Sequence, residues 1–86
     1  MARSTFTDRY DQFRALVIEA RRRAGLTQVQ LAQKLGKPQS FVSKYELGER
    51  RLDVVEFMDV SAALGVRPEH VLRKMREGGS RSGSNG

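Results

Sequence analysis

Four glycines stand singly along the chain, at positions 25, 36, 48 and 65, and each follows a stretch in which apolar residues recur every three or four positions. A glycine just past such a stretch ends a helix, because it adopts the left-handed conformation that seals the last carbonyls at little steric cost. These stops divide the chain into short helices. No segment carries the alternating, β-branched pattern of a strand. The sequence therefore predicts an all-α fold of five helices.

The helix starts are marked as clearly as the stops. In the first helix Phe6, Tyr10, Phe13, Leu16, Val17, Ala20 and Ala24 form one apolar face, with Thr5 and Thr7 as alternative N-caps. Thr27 and Gln30 form a capping box, with Leu26 and Leu31 spaced as a hydrophobic staple, so a second helix runs from Gln28 to Leu35. A third begins after Gly36 and Lys37, with Pro38 in its first turn, turns Val42 and Tyr45 inward and stops before Gly48. Asp53 and Glu56 repeat the capping box, and Leu52 and Phe57 the staple, for a fourth helix ending at Leu64. The fifth starts at Pro68, with a Val66 to Val71 staple and a stripe of Val71, Leu72 and Met75. Residues 1–12 read as an N-terminal arm or an extension of the first helix, and residues 13–77 as the folded domain. Residues 78–86 have nothing apolar to bury and read as a flexible Gly/Ser-rich tail.

Composition narrows the function. A chain of 86 residues supports one core. With no Cys, a single His (His70) and no carboxylate pair beside a base, neither an enzyme nor a metal or cofactor site is expected. No apolar run approaches the ~20 residues of a membrane span, and no signal peptide is evident, so a soluble, cytoplasmic protein without a membrane partner is expected. Lys plus Arg number 16 against 10 Asp plus Glu, a net charge of +6 that favours polyanionic partners. The excess is local: residues 1–26 carry six Arg against three acids and residues 27–52 five cations against two acids, whereas residues 53–77 carry four cations against five acids.

The second and third helices, joined by a short Gly-containing turn, have the spacing of a helix-turn-helix, whose second helix enters the DNA major groove. Such hairpins also occur in small α-proteins that bind no nucleic acid, so spacing alone leaves the function open. The third helix places Gln39, Ser40, Ser43 and Lys44 opposite Val42 and Tyr45. Glutamine can pair with adenine, lysine can donate to guanine, and serine can serve several bases, so this face is able to read base edges; the alternative is a merely hydrophilic surface.

The elements Leu26-Thr27-Gln28, Leu31-Ala32, Gly36, Val42-Ser43, Tyr45-Glu46-x-Gly48 and Ala63-Leu64-Gly65-Val66 stand in register over roughly residues 13–75. In this the chain resembles the helix-turn-helix domain of lambdoid phage repressors, Cro proteins and Xre-like bacterial regulators. The resemblance implies a lambda-repressor-like fold and a sequence-specific transcriptional regulator of double-stranded DNA, encoded by a bacterium or phage. It places Gln28 on a phosphate at the start of the second helix and assigns base reading to Gln39, Ser40, Ser43 and Lys44. Lys37 and Phe41 would flank them at the sugar-phosphate wall, although Phe41 can equally pack on the second helix. Arg50 and Arg51 would contact phosphates, the alternative for Arg51 being an internal pair with Glu49 or Asp53. Arg21 would pair with Glu46 beneath the motif. The chain departs from the family pattern at Ser61, which needs a hydrogen bond to a carbonyl one turn back. Arg3 and Arg9, ahead of the family core, either reach DNA or are solvated.

Val55, Met58 and Ala62 form a second apolar stripe on the fourth helix. A homodimer would cover it, and the family's dimers use the fourth and fifth helices, setting two recognition helices ~34 Å apart on a palindromic operator. The alternative is that the fifth helix or the N-terminal arm covers the stripe within one chain. A competing function on the same fold is an antitoxin or other protein-interaction module, whose partner the sequence does not name.

Overall fold

The computed structural model describes the backbone of residues 5–84 and the side chains of residues 9–77. Arg3 lies outside the described residues, as does the end of the tail at 85–86. The elements are α1 (Thr5–Arg23), α2 (Gln28–Leu35), α3 (Gln39–Leu47), α4 (Val54–Leu64) and α5 (Pro68–Ser84), with no strand among the described residues. A three-residue turn, Gly36-Lys37-Pro38, joins α2 to α3.

Local chemistry accounts for most of these boundaries. The Thr27 hydroxyl accepts from the Gln30 N–H at 3.0 Å, and the Gln30 side chain accepts from the Thr27 N–H at 2.9 Å. At α4, Asp53 accepts from the Glu56 N–H at 2.7 Å and Glu56 from the Asp53 N–H at 3.0 Å. Each pair satisfies two amides that a helix start leaves unpaired. Pro38 is the N-cap of α3, one position before the first-turn place expected for it, since its ψ of 154° is extended; it supplies no side-chain acceptor. α3 ends at Gly48, whose φ of +84° suits glycine, and the Glu49 N–H then closes on the Lys44 carbonyl at 2.8 Å.

At the N-terminus the structure takes one of the two alternatives, and at the other end it differs from the sequence reading. α1 already begins at Thr5, so residues 5–12 continue the first helix, held by an apolar face that extends back past Phe13. Tyr10 and Phe13 meet with ring centroids 5.6 Å apart, and Phe13 meets Phe57 edge-on at 4.9 Å. α5 runs to Ser84, past the expected end at Glu77, so residues 78–84 are helical and not an irregular tail. Extending an established helix adds a hydrogen bond for each residue fixed, which needs no apolar anchor.

α2 packs against α3 and α4, while α1 packs against α3 and α5. The core they enclose contains Phe13, Val17, Leu31, Ala32, Val42, Tyr45, Phe57, Val60, Leu64 and Val71. Leu35 is only partly buried at its margin. Ser61, buried among these apolar groups, donates to the Phe57 carbonyl at 2.8 Å, one turn back. The result is a rigid seat for α3, fixed on one side by α2 and on the other by α1.

Candidate nucleic-acid interface

Packing on one side decides what α3 presents on the other. Val42, Tyr45 and Glu46 are buried, which leaves Gln39, Ser40 and Lys44 exposed and Ser43 half-buried. The Ser43 hydroxyl turns back to donate to the Ser40 carbonyl at 3.3 Å.

Beneath this face runs a hydrogen-bonded chain that begins at an ion pair between the half-buried Arg21 and the buried Glu46. The Arg21 guanidinium meets the Glu46 carboxylate through two bonds, Nε to Oε2 at 2.8 Å and Nη2 to Oε1 at 3.0 Å, while Nη1 donates to the Leu26 carbonyl at 2.8 Å. This bonding holds the Arg21 pKa above its ordinary value against the opposing effect of burial. Glu46, which can only accept, also takes the Gln28 amide at 2.9 Å. Gln28 must therefore turn its carbonyl outward, where it accepts from the Gln39 amide at 3.1 Å. Gln39 thus keeps its carbonyl oxygen and a second N–H free to face a partner.

The flanks are less free than the sequence implies. The half-buried Phe41 ring packs edge-on to Tyr45 at 5.6 Å and supports two cations, with Lys37 Nζ 5.1 Å and the Arg50 guanidinium carbon 4.9 Å from its centroid. Arg50 also closes its fork on Glu56, at 3.0 and 3.1 Å. The Glu56 carboxyl is held below its ordinary pKa, first by Arg50 and then by the Asp53 N–H. Arg51 lies with its guanidinium carbon 4.3 Å from the Tyr10 ring centroid, and the Tyr10 hydroxyl accepts from the Leu52 N–H at 3.1 Å.

Neither the Arg50–Glu56 pair nor the contacts of Arg14 were read from the sequence. The capping box was a signal for the Arg50–Glu56 pair, because it folds the Glu56 side chain back toward the loop that carries Arg50. Arg14 donates to the Glu46 carbonyl at 2.7 Å and to Asp11 at 3.2 Å, and its guanidinium fills the space beside Gly48. Its signal was position alone, two turns before Arg21 on the same face of α1.

Farther from α3, Arg22 and Arg23 are exposed, with Arg23 paired to Glu19 at 3.1 Å, and Arg9 is exposed. Val55 and Met58 on α4 are 63% and 54% exposed, and Ala62 is exposed with them. α5 therefore leaves the stripe open, and the neighbouring Val54 is also exposed. Among the described residues no group of three His, Cys, Asp or Glu side chains is placed to hold a metal ion, and no helix is long and apolar enough to cross a membrane.

Two short helices joined by a tight turn, the second offering a polar face between cations, define a helix-turn-helix protein. A helix-turn-helix family profile matches residues 17–71. Among solved structures, the chain is similar to an XRE-family like protein from Pseudomonas syringae pv. tomato str. DC3000, with a TM-score of 0.81 and 50% identity, covering 84% of this chain and 88% of that one. No curated protein matches the chain. The chain belongs to the Xre-like helix-turn-helix family of DNA-binding regulators.

Proposed function

We propose that the chain regulates transcription by occupying a palindromic operator in double-stranded DNA as a homodimer. In this reading α3 enters the major groove, and Gln39, Ser40, Ser43 and Lys44 read base edges. Gln28, Lys37, Arg50 and Arg51 hold phosphates, with Phe41 supporting Lys37 and Arg50 from beneath. The exposed stripe of Val55, Met58 and Ala62 supplies the dimer contact.

The observation that carries the reading is the exposure of Gln39, Ser40 and Lys44 on the side of α3 opposite the buried Val42 and Tyr45. Polar groups with free donors and acceptors, on a helix seated rigidly from behind, are what direct base readout requires. The cations beside them suit the phosphate contacts that set register without reading sequence.

Selection of bound duplexes from a random pool, with the oligomer mass measured alongside, yields the operator. On that operator Gln39→Ala should relax preference at one or two base pairs at a cost of about 1–3 kcal/mol. Lys37→Ala should weaken binding to every duplex and reduce the slope of log affinity against log salt by about one. Lys37 is a cleaner probe than Arg50, whose removal also strips Glu56 of its partner. Identical effects of the two substitutions across all sequences would overturn this division of roles.

A further inference from the structure

The helix-turn-helix profile starts at residue 17, yet the part of α1 ahead of it touches the segment that follows α3. That segment, residues 48–53, lies between α3 and α4 and belongs to neither helix. Its beginning is tied to α3, the Glu49 N–H at 2.8 Å and the Arg50 N–H at 3.3 Å from the Lys44 carbonyl. Its far end is tied to α1, where the Tyr10 hydroxyl accepts from the Leu52 N–H. Between the two, Arg51 lies over the Tyr10 ring. Arg14, held by Asp11, grips the Glu46 carbonyl one turn below.

We infer that Tyr10 is a positioning residue for the backbone contact made by Arg51, an inference that rests on the proposed phosphate role of that arginine. Glu56 meets the charge of Arg50 with an opposite one, and the Tyr10 face attracts the Arg51 guanidinium through its quadrupole. The ring thus helps to fix where the charge sits. A side chain ordered before binding has less rotamer freedom to lose on meeting a phosphate.

The test is a double-mutant cycle on the full chain, comparing Tyr10→Leu, Arg51→Ala and the double variant. Binding is measured to the selected operator and to a random duplex between 50 and 200 mM salt, at a temperature where thermal unfolding shows all proteins folded. Tyr10→Leu should weaken binding to both duplexes by the same factor, about two- to fivefold. Arg51→Ala should weaken both at least as much and reduce the salt slope by about one, and the double variant should bind no worse than Arg51→Ala alone. Tyr10→Phe, which keeps the ring, should retain most of the affinity. A Tyr10→Leu effect that is absent, that persists in full without Arg51, or that is matched by Tyr10→Phe overturns the inference. If Arg51→Ala binds normally, the phosphate role fails and the inference falls with it; if Arg51→Ala weakens binding while Tyr10→Leu does not, only the positioning role is lost.

Discussion

Glu46 is the residue on which the helix-turn-helix is assembled. Its carboxylate, 6% exposed, receives Arg21 from α1 and Gln28 from α2, while its own carbonyl receives Arg14. A buried carboxylate bonded in this way depends on its cation, and removing one partner of such a pair costs far more than the pair contributes over an apolar replacement. Arg21→Ala should therefore destabilise the fold by about 3–5 kcal/mol in urea unfolding, and replacing Arg21 and Glu46 together by Met and Leu should recover part of that loss. A loss below about 1 kcal/mol for Arg21→Ala would instead place the pair with exposed ion pairs. The Tyr45 hydroxyl beside it is buried and has no hydrogen-bond partner among the described residues, and burial raises its pKa. Arg21 and Glu46, 25 positions apart, could be paired only through family resemblance. The Arg14 bond to Glu46 could not be read at all, because its acceptor there is a main-chain carbonyl and every residue carries one.

At the scale of the element, legibility followed the chemistry of the ends. The bounds of α2 and α4 were readable because each start has a reciprocal cap and each stop a left-handed glycine. The start of α1 and the end of α5 were not, since two threonines compete at the first and helix propagation runs past Gly78 and Gly79 at the second. The α4 cap does more than begin a helix, because Glu56 binds Arg50 as well as the Asp53 amide. With its folded pKa below the ordinary 4.5, Glu56 releases its proton more readily in the native state than in the unfolded one. Its contribution is therefore fully present above that ordinary value and is lost as pH falls through the lower folded value. Glu56→Gln should lower stability at neutral pH and flatten the acid limb below about pH 4.5, read by urea unfolding from pH 7 to 3. Profiles that stay parallel would show that the Arg50–Glu56 contact contributes nothing that depends on protonation.

For the whole molecule, the cationic excess lies in the first 52 residues and the open apolar stripe on α4, so the regions proposed for DNA and for a second copy occupy different segments of the chain. Met58→Asp alters a side chain that is 54% exposed and should leave the monomer folded. On the proposed assembly it should halve the mass in sedimentation and make operator binding weaker and more dependent on protein concentration; an unchanged mass would remove this stripe from the interface. The tethering of Gln39 also bears on how such a protein acquires new targets. Ser40 and Lys44 have no side-chain hydrogen bond among the described residues, so mutation there can explore other binding preferences while the scaffold is undisturbed. Gln39 is joined through Gln28 to a buried charge, and a newcomer at that position must either offer the same donor or leave the Gln28 carbonyl to water. Evolutionary drift should therefore begin at the untethered positions and reach Gln39 last.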